Sequence, residues 1–106
     1  MPKYLLAATY TPEGAKGLLK DGGTKRKAAA VAAAKAAGGT VEAFYFAFGQ
    51  NDAIVIADLP DNASAAALSL TVGASGAVTL RTTALLTPEE IDTAAKKRVG
   101  YRPPGA

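Results

Sequence analysis

Four short runs of this chain, Lys3 to Tyr10, Thr40 to Phe48, Ala53 to Leu59 and Ala77 to Leu86, are apolar on both alternations of a strand. Few folds satisfy that pattern. In the first run Tyr4, Leu6, Ala8 and Tyr10 oppose Leu5 and Ala7. In the second, Phe44, Phe46 and Phe48 oppose Val41, Ala43, Tyr45 and Ala47. In the third, Val55, Ala57 and Leu59 oppose Ile54 and Ile56. Successive side chains of a strand point to opposite faces, so helices on one side of a sheet hide only one of these sets. The other set would be a large apolar patch in water unless something covers it. A second copy of the same chain is the simplest cover, which predicts a homo-oligomer paired through the sheet face, with Phe46 at the interface.

The segments between the runs carry helix punctuation. Thr11-Pro12-Glu13 supplies a cap, a proline suited to the first helical position and an acid at the positive end of the dipole. The helix that follows is interrupted at Gly22-Gly23, and Thr24 is expected to cap a second stretch closed by Gly38-Gly39. Four residues, Gly49 to Asp52, join the second and third runs as a hairpin turn. Pro60 stops the third run. Asp61 caps a helix through Ala63, Ala66, Ala67 and Leu70 that fades between Gly73 and Gly76. Thr87 and Glu90 form a capping-box pattern ahead of a last helix, expected to run to Val99 and to be followed by an extended tail, 100–106. The order is β-α-β-β-α-β plus a C-terminal helix. That is the ferredoxin-like order, an α+β sandwich with its helices on one face, formed as a single domain over 1–106.

Composition excludes several classes of function. With no Cys and no His among 106 residues, there is no thiolate metal site, no disulfide and no imidazole base or ligand, so no metal and no cofactor is expected. A net charge of +3 is too small to indicate nucleic acid. No apolar stretch is long enough for a bilayer, and the run in MPKYLLAATYTPEG is too short for a secretory signal, so no membrane association and a cytoplasmic location are the expectations.

Three places could hold a ligand. Gly49-Gln50-Asn51-Asp52 reads as an ordinary turn in which Gly49 and Asn51 tolerate positive φ; it also offers Asn51 and Asp52 to a ligand near a subunit interface. Gly23, Thr24, Lys25 and Arg26 open a helix with cations at its positive end. This is either a solvated basic face or a site for a small anionic ligand. Arg81 lies in mid-strand and needs a carboxylate partner, for which Asp58 and Glu42 are placed, or an anionic ligand. Tyr10, with Tyr4, Tyr45 and the three Phe residues, could line a pocket beside it.

The stretches KYLLAATYTPEGAKGLL, FYFAFGQND, DNASAAALSL, GAVTLRTTALLTPEE and YRPPGA together resemble the GYD domain family over nearly the whole chain. The resemblance implies an α/β plait that associates through its sheet, and it supplies no reaction. The Gly-Tyr-Asp motif that names the family falls at the hairpin turn, where Gly49-Gln50-Asn51-Asp52 keeps a Gly and an Asp with no Tyr between them. Similar plaits pair into dimeric barrels, some of them enzymes and some ligand sensors. Three functions therefore compete: a homo-oligomeric small-ligand-binding or assembly module, a cofactor-independent enzyme of the monooxygenase or isomerase kind, and a purely structural subunit.

Overall fold

A computed structural model gives the structure of residues 1–106. The elements are β1 (Lys3–Tyr10), α1 (Pro12–Asp21), α2 (Gly23–Ala36), β2 (Thr40–Phe46), β3 (Ala53–Asp58), α3 (Asn62–Ala74), β4 (Val78–Leu85) and α4 (Pro88–Lys96). The strands form one antiparallel sheet in the order β2-β3-β1-β4. This is the ferredoxin-like arrangement that the element order predicts.

Local chemistry sets the helix starts. Thr11 accepts from the amide of Gly14 at 3.2 Å, and its hydroxyl donates to the carbonyl of Gly76 at 2.8 Å, so one side chain caps α1 and ties it to the turn before β4. Asp61 accepts from the amide of Ser64 at 2.8 Å and caps α3. Thr87 and Glu90 form both bonds of the capping box on α4. The cap of α2 differs from expectation. Gly22, at φ 82°, is the capping residue and gives no side-chain bond, while Thr24 lies inside the first turn. A single left-handed glycine turns the chain between α1 and α2 in one residue, which leaves no room for a threonine cap.

The core lies between the sheet and the helices. Tyr4, Leu6, Ala57, Leu59 and Ala65 form its main cluster, and Ala8, Ala53 and Val78 a smaller one. The Tyr4 hydroxyl donates to Asn62 Oδ1 at 2.6 Å, so the buried ring keeps its polar atom paired at the start of α3. The strand alternation holds with one exception. A bulge between Val41 and Ala43 turns Val41 to the helix side, where strict alternation would place it with Ala43 and Tyr45. Phe44 and Phe46 also face the helices, their rings 5.2 Å apart edge to face. Phe46 is therefore not on the open face, which corrects its expected place at an interface. The open face consists of two rows across the sheet, Ala43-Ile56-Leu5-Thr83 and Tyr45-Ile54-Ala7-Arg81, with Lys3 and Asp58 beyond them.

Two ends fall short of expectation by more than one residue. β2 stops at Phe46 rather than Phe48, and α4 at Lys96 rather than Val99. From Leu86 to Ala106 every residue is exposed, and α4 has no substantial contact with another element. This arm makes the molecule long, 56 × 33 × 23 Å, with a radius of gyration of 16.8 Å against about 13 Å for a compact chain of this length. The accessible surface is 7457 Å², against about 5,500 Å² for a compact monomer of 10.7 kDa. No helix is long and apolar enough to cross a membrane.

The Asp61 cap gives a pH prediction. The Ser64 amide holds this carboxyl below its ordinary value of 3.8. A carboxyl with a depressed folded value stabilises the fold fully above 3.8 and loses that contribution as pH falls through the lower value. Asp61→Ala should therefore melt below the wild type at neutral pH, with the gap narrowing as pH falls below 3.8. Melting curves of the two proteins from pH 7 to pH 2 check it; a gap that stays constant overturns the capping role.

Candidate ligand cavity beside the hairpin turn

The carboxylate of Asp52 fixes the hairpin to the end of β1. Its Oδ2 accepts from the amide of Tyr10 at 2.9 Å, its own amide donates to the carbonyl of Ala8 at 2.8 Å, and its carbonyl accepts from the amide of Ala47 at 2.9 Å. The turn thus spends one carboxylate oxygen on structure and leaves Oδ1 without a protein partner. Gly49 and Asn51, which would tolerate positive φ, do not use it. Asp52 anchors the turn from outside, so a left-handed residue is not needed to close it.

Beside this anchor is an open cavity of about 440 Å³. Three aromatic residues line it: Tyr10 from the end of β1, Phe46 from the end of β2, and Phe48 from the turn. Ala15 and Leu18 of α1 and Ala47 complete the apolar wall, with Gly23 at the start of α2 and Asp52 as the sole charged group. Gly23 is there for space. A Cβ on it would lie 2.9 Å from the Phe46 ring, so any larger residue would force the ring to shift from its place in the cavity wall. An apolar cleft with one carboxylate can bind a compact apolar group that carries a hydrogen-bond donor.

Among the residues expected to meet a ligand, the structure brings Tyr10, Asp52 and Gly23 to this cavity. Gly49 and Asn51 stay in the turn outside its lining, and Thr24 and Lys25 are exposed on the first turn of α2. Arg26 is half-buried against α1, in a cleft with Glu13, Asp21 and Tyr10, and its Nε has no hydrogen-bond partner. The first turn of α2 contains no acidic residue, so its dipole is not complemented. Arg81 is on the other side of the sheet, opposite Ala7, and exposed.

The expected partners of Arg81 are taken by Lys3. Lys3 Nζ lies 2.6 Å from Glu42 and 2.9 Å from Asp58, the two ion pairs of the chain, and these bonds, Glu42 first, raise the lysine above its ordinary value. The register explains the choice. Asp58 is opposite Lys3, whereas Arg81 is four residues further along β1, opposite Ala7. Tyr4 goes to the core and Tyr45 to the open face, so neither lines the cavity. Ala15, Leu18 and Ala47 carry no sequence signal for a site. They are ordinary apolar residues that become a wall only because α1 lies beside the hairpin.

Nowhere do three His, Cys, Asp or Glu side chains converge as metal ligands would. A family model described as GYD domain matches residues 4–95. No curated protein and no solved structure matches the chain.

Proposed function

From the premise that the chain belongs to the GYD domain family, we propose that it is a small-ligand-binding subunit of a homo-oligomer. The cavity beside the hairpin carries the ligand-binding part. It has the size and apolar lining of a small-molecule site, with one carboxylate oxygen left for a ligand. The ligand this lining favours has a compact apolar body and an ammonium or other donor facing Asp52. Stacking on Tyr10, Phe46 and Phe48 would add to its affinity for a cation. The oligomer part is supported by the surface excess of about 2,000 Å² per chain over a compact monomer, more than the ~800 Å² that each partner buries in a standard protein interface. It is supported too by the apolar rows of the open face.

Melting of the wild type, Asp52→Asn and Ala15→Phe with phenethylamine or phenylacetate at fixed ionic strength tests the ligand. At ten times the dissociation constant, binding linkage adds about 1.4 kcal/mol, a shift of several degrees for a chain of this size. The amine should stabilise the wild type, act less on Asp52→Asn, and do nothing for Ala15→Phe, whose ring fills the cavity. Stabilisation by phenylacetate alone would instead mean that the ligand is an anion, and would overturn the role given to Asp52. No response to either compound, or an equal response in all three proteins, overturns the cavity as a site for this ligand class.

A further inference from the structure

We propose that the C-terminal arm, Leu86–Ala106, docks on a second copy of this chain, with α4 lying across that copy's open sheet face. The inference rests on the homo-oligomer reading above and says which part of the copy covers the face.

α4 has nine residues, and isolated helices that short are marginal in water even when well capped. Its stability must come from packing an apolar side, and its own body offers none. Ile91, Ala94 and Ala95 fall at helical spacing on one side of it, with Glu89, Asp92 and Lys96 elsewhere on the helix. Leu86, Ile91, Val99 and Tyr101 are all large, apolar and exposed along one arm. The open face presents the matching surface, Leu5, Ala7, Ile54 and Ile56, in two rows.

Charge fixes the orientation. The arm is acidic at its start, with Glu89, Glu90 and Asp92, and basic beyond, with Lys96, Lys97, Arg98 and Arg102. The open face has one unpaired cation, Arg81, and at its far corner two carboxylates, Glu42 and Asp58, sharing the single Lys3. Arg81 is about 19 Å from the Glu42 side of that corner, three strand spacings across and about four residues along, and about 16 Å from Asp58, one strand nearer. The arm spans a comparable length between its acidic turn and its cations, at about 1.5 Å per helical and about 3.3 Å per extended residue. The acidic turn of α4 therefore meets Arg81 of the partner subunit, and the basic tail reaches the corner of Glu42 and Asp58.

The test is a charge exchange read by sedimentation equilibrium on the full chain. Arg81→Glu alone and Asp92→Arg alone should each weaken the dimer about tenfold by setting like charges together, Asp92 being at the flank of the docking side whereas Glu89 faces away from it. The two changes combined should restore it. Glu90 is left intact because it closes the capping box. Arg81 and Asp92 are both exposed, so neither change touches the core, and far-ultraviolet circular dichroism verifies that folding is kept. Amide exchange gives a second readout: α4 should be protected where the chain is dimeric and open where dilution makes it monomeric. A wild-type oligomer that is unaffected by the reversals, or a combined variant that fails to recover, overturns the arm contact and leaves the oligomer reading standing. A wild type that is monomeric throughout overturns both.

Discussion

Ile56→Asp is expected to leave the chain a monomer at micromolar concentration while its body stays folded. Ile56 is at the centre of the open face, between Leu5 on β1 and Ala43 on β2. Its side chain points away from the helix-side core, so the substitution removes no core packing. In the assembly, each copy would put a carboxylate into a desolvated apolar contact; Leu5, Ala7, Ala43 and Ile54 cannot pair it, and Lys3, the nearest cation on that face, is already held by Glu42 and Asp58. A hot-spot residue at the centre of an interface costs about 2 kcal/mol or more when truncated, and Ile56 is at that centre. Two symmetric copies make that about 4 kcal/mol, close to a thousandfold in the dissociation constant. Sedimentation equilibrium and light scattering of the two proteins decide it. An Ile56→Asp chain that assembles like the wild type would mean that the open face is not the interface, however apolar it is.

The fold was legible because its signals are local and mutually consistent. Thr11-Pro12-Glu13, Asp61 and Thr87-Pro88-Glu89-Glu90 each begin a helix where the structure begins one, and the β-α-β-β-α-β order admits one common antiparallel sheet. What failed was long-range or depended on one residue of backbone. The bulge at Glu42 inverts the side of Val41, and a period-two pattern carries no mark of where a bulge falls. The wrong side for Phe46 has a different cause. Phe44-Phe46-Phe48 and Ala43-Tyr45-Ala47 are both apolar, so hydrophobicity cannot say which one the helices cover. Contact of Phe46 with Gly23 settles it, and that contact spans two elements.

The candidate site was half legible for a similar reason. Asp52 and Tyr10 stand out in sequence as polar atoms at strand ends, and the structure joins them through a backbone amide. Arg81 stands out equally, yet register sends it to the opposite face and gives its expected carboxylates to Lys3. A charge in mid-strand signals an unmet need but not the side on which it is met. The cavity wall, Ala15, Leu18 and Ala47, was invisible because small apolar residues look the same whether they pack or line a cleft.

Gly14→Ala and Gly17→Ala, two identical substitutions three residues apart on α1, are expected to move stability in opposite directions. Ala is favoured over Gly inside a helix by roughly 0.5–1 kcal/mol, and nothing lies within 4 Å of a Cβ built on Gly17. Gly17→Ala should therefore raise the melting temperature by a few degrees. At Gly14 the same Cβ would fall on the backbone carbonyl oxygen of Ala77, well inside any real contact distance. That oxygen already accepts from the Thr11 amide, and the Thr11 hydroxyl bonds the neighbouring carbonyl of Gly76. Backbone cannot swing aside as a side-chain tip can, so α1 must lift from the turn before β4 and stretch both bonds. Overpacking of this kind costs about 1–3 kcal/mol, and weakened hydrogen bonds add to it. The net loss of ~2–3 kcal/mol corresponds to roughly 10–20 °C for a chain of this length. Because α1 also supplies Ala15 and Leu18 to the cavity, Gly14→Ala should weaken phenethylamine binding even below its melting point, whereas Gly17→Ala should not. Calorimetry of both variants with and without the amine separates the effects. A Gly14→Ala chain as stable as the wild type would mean that α1 does not sit this close to the β4 turn, and the cavity wall drawn from it would fall with it.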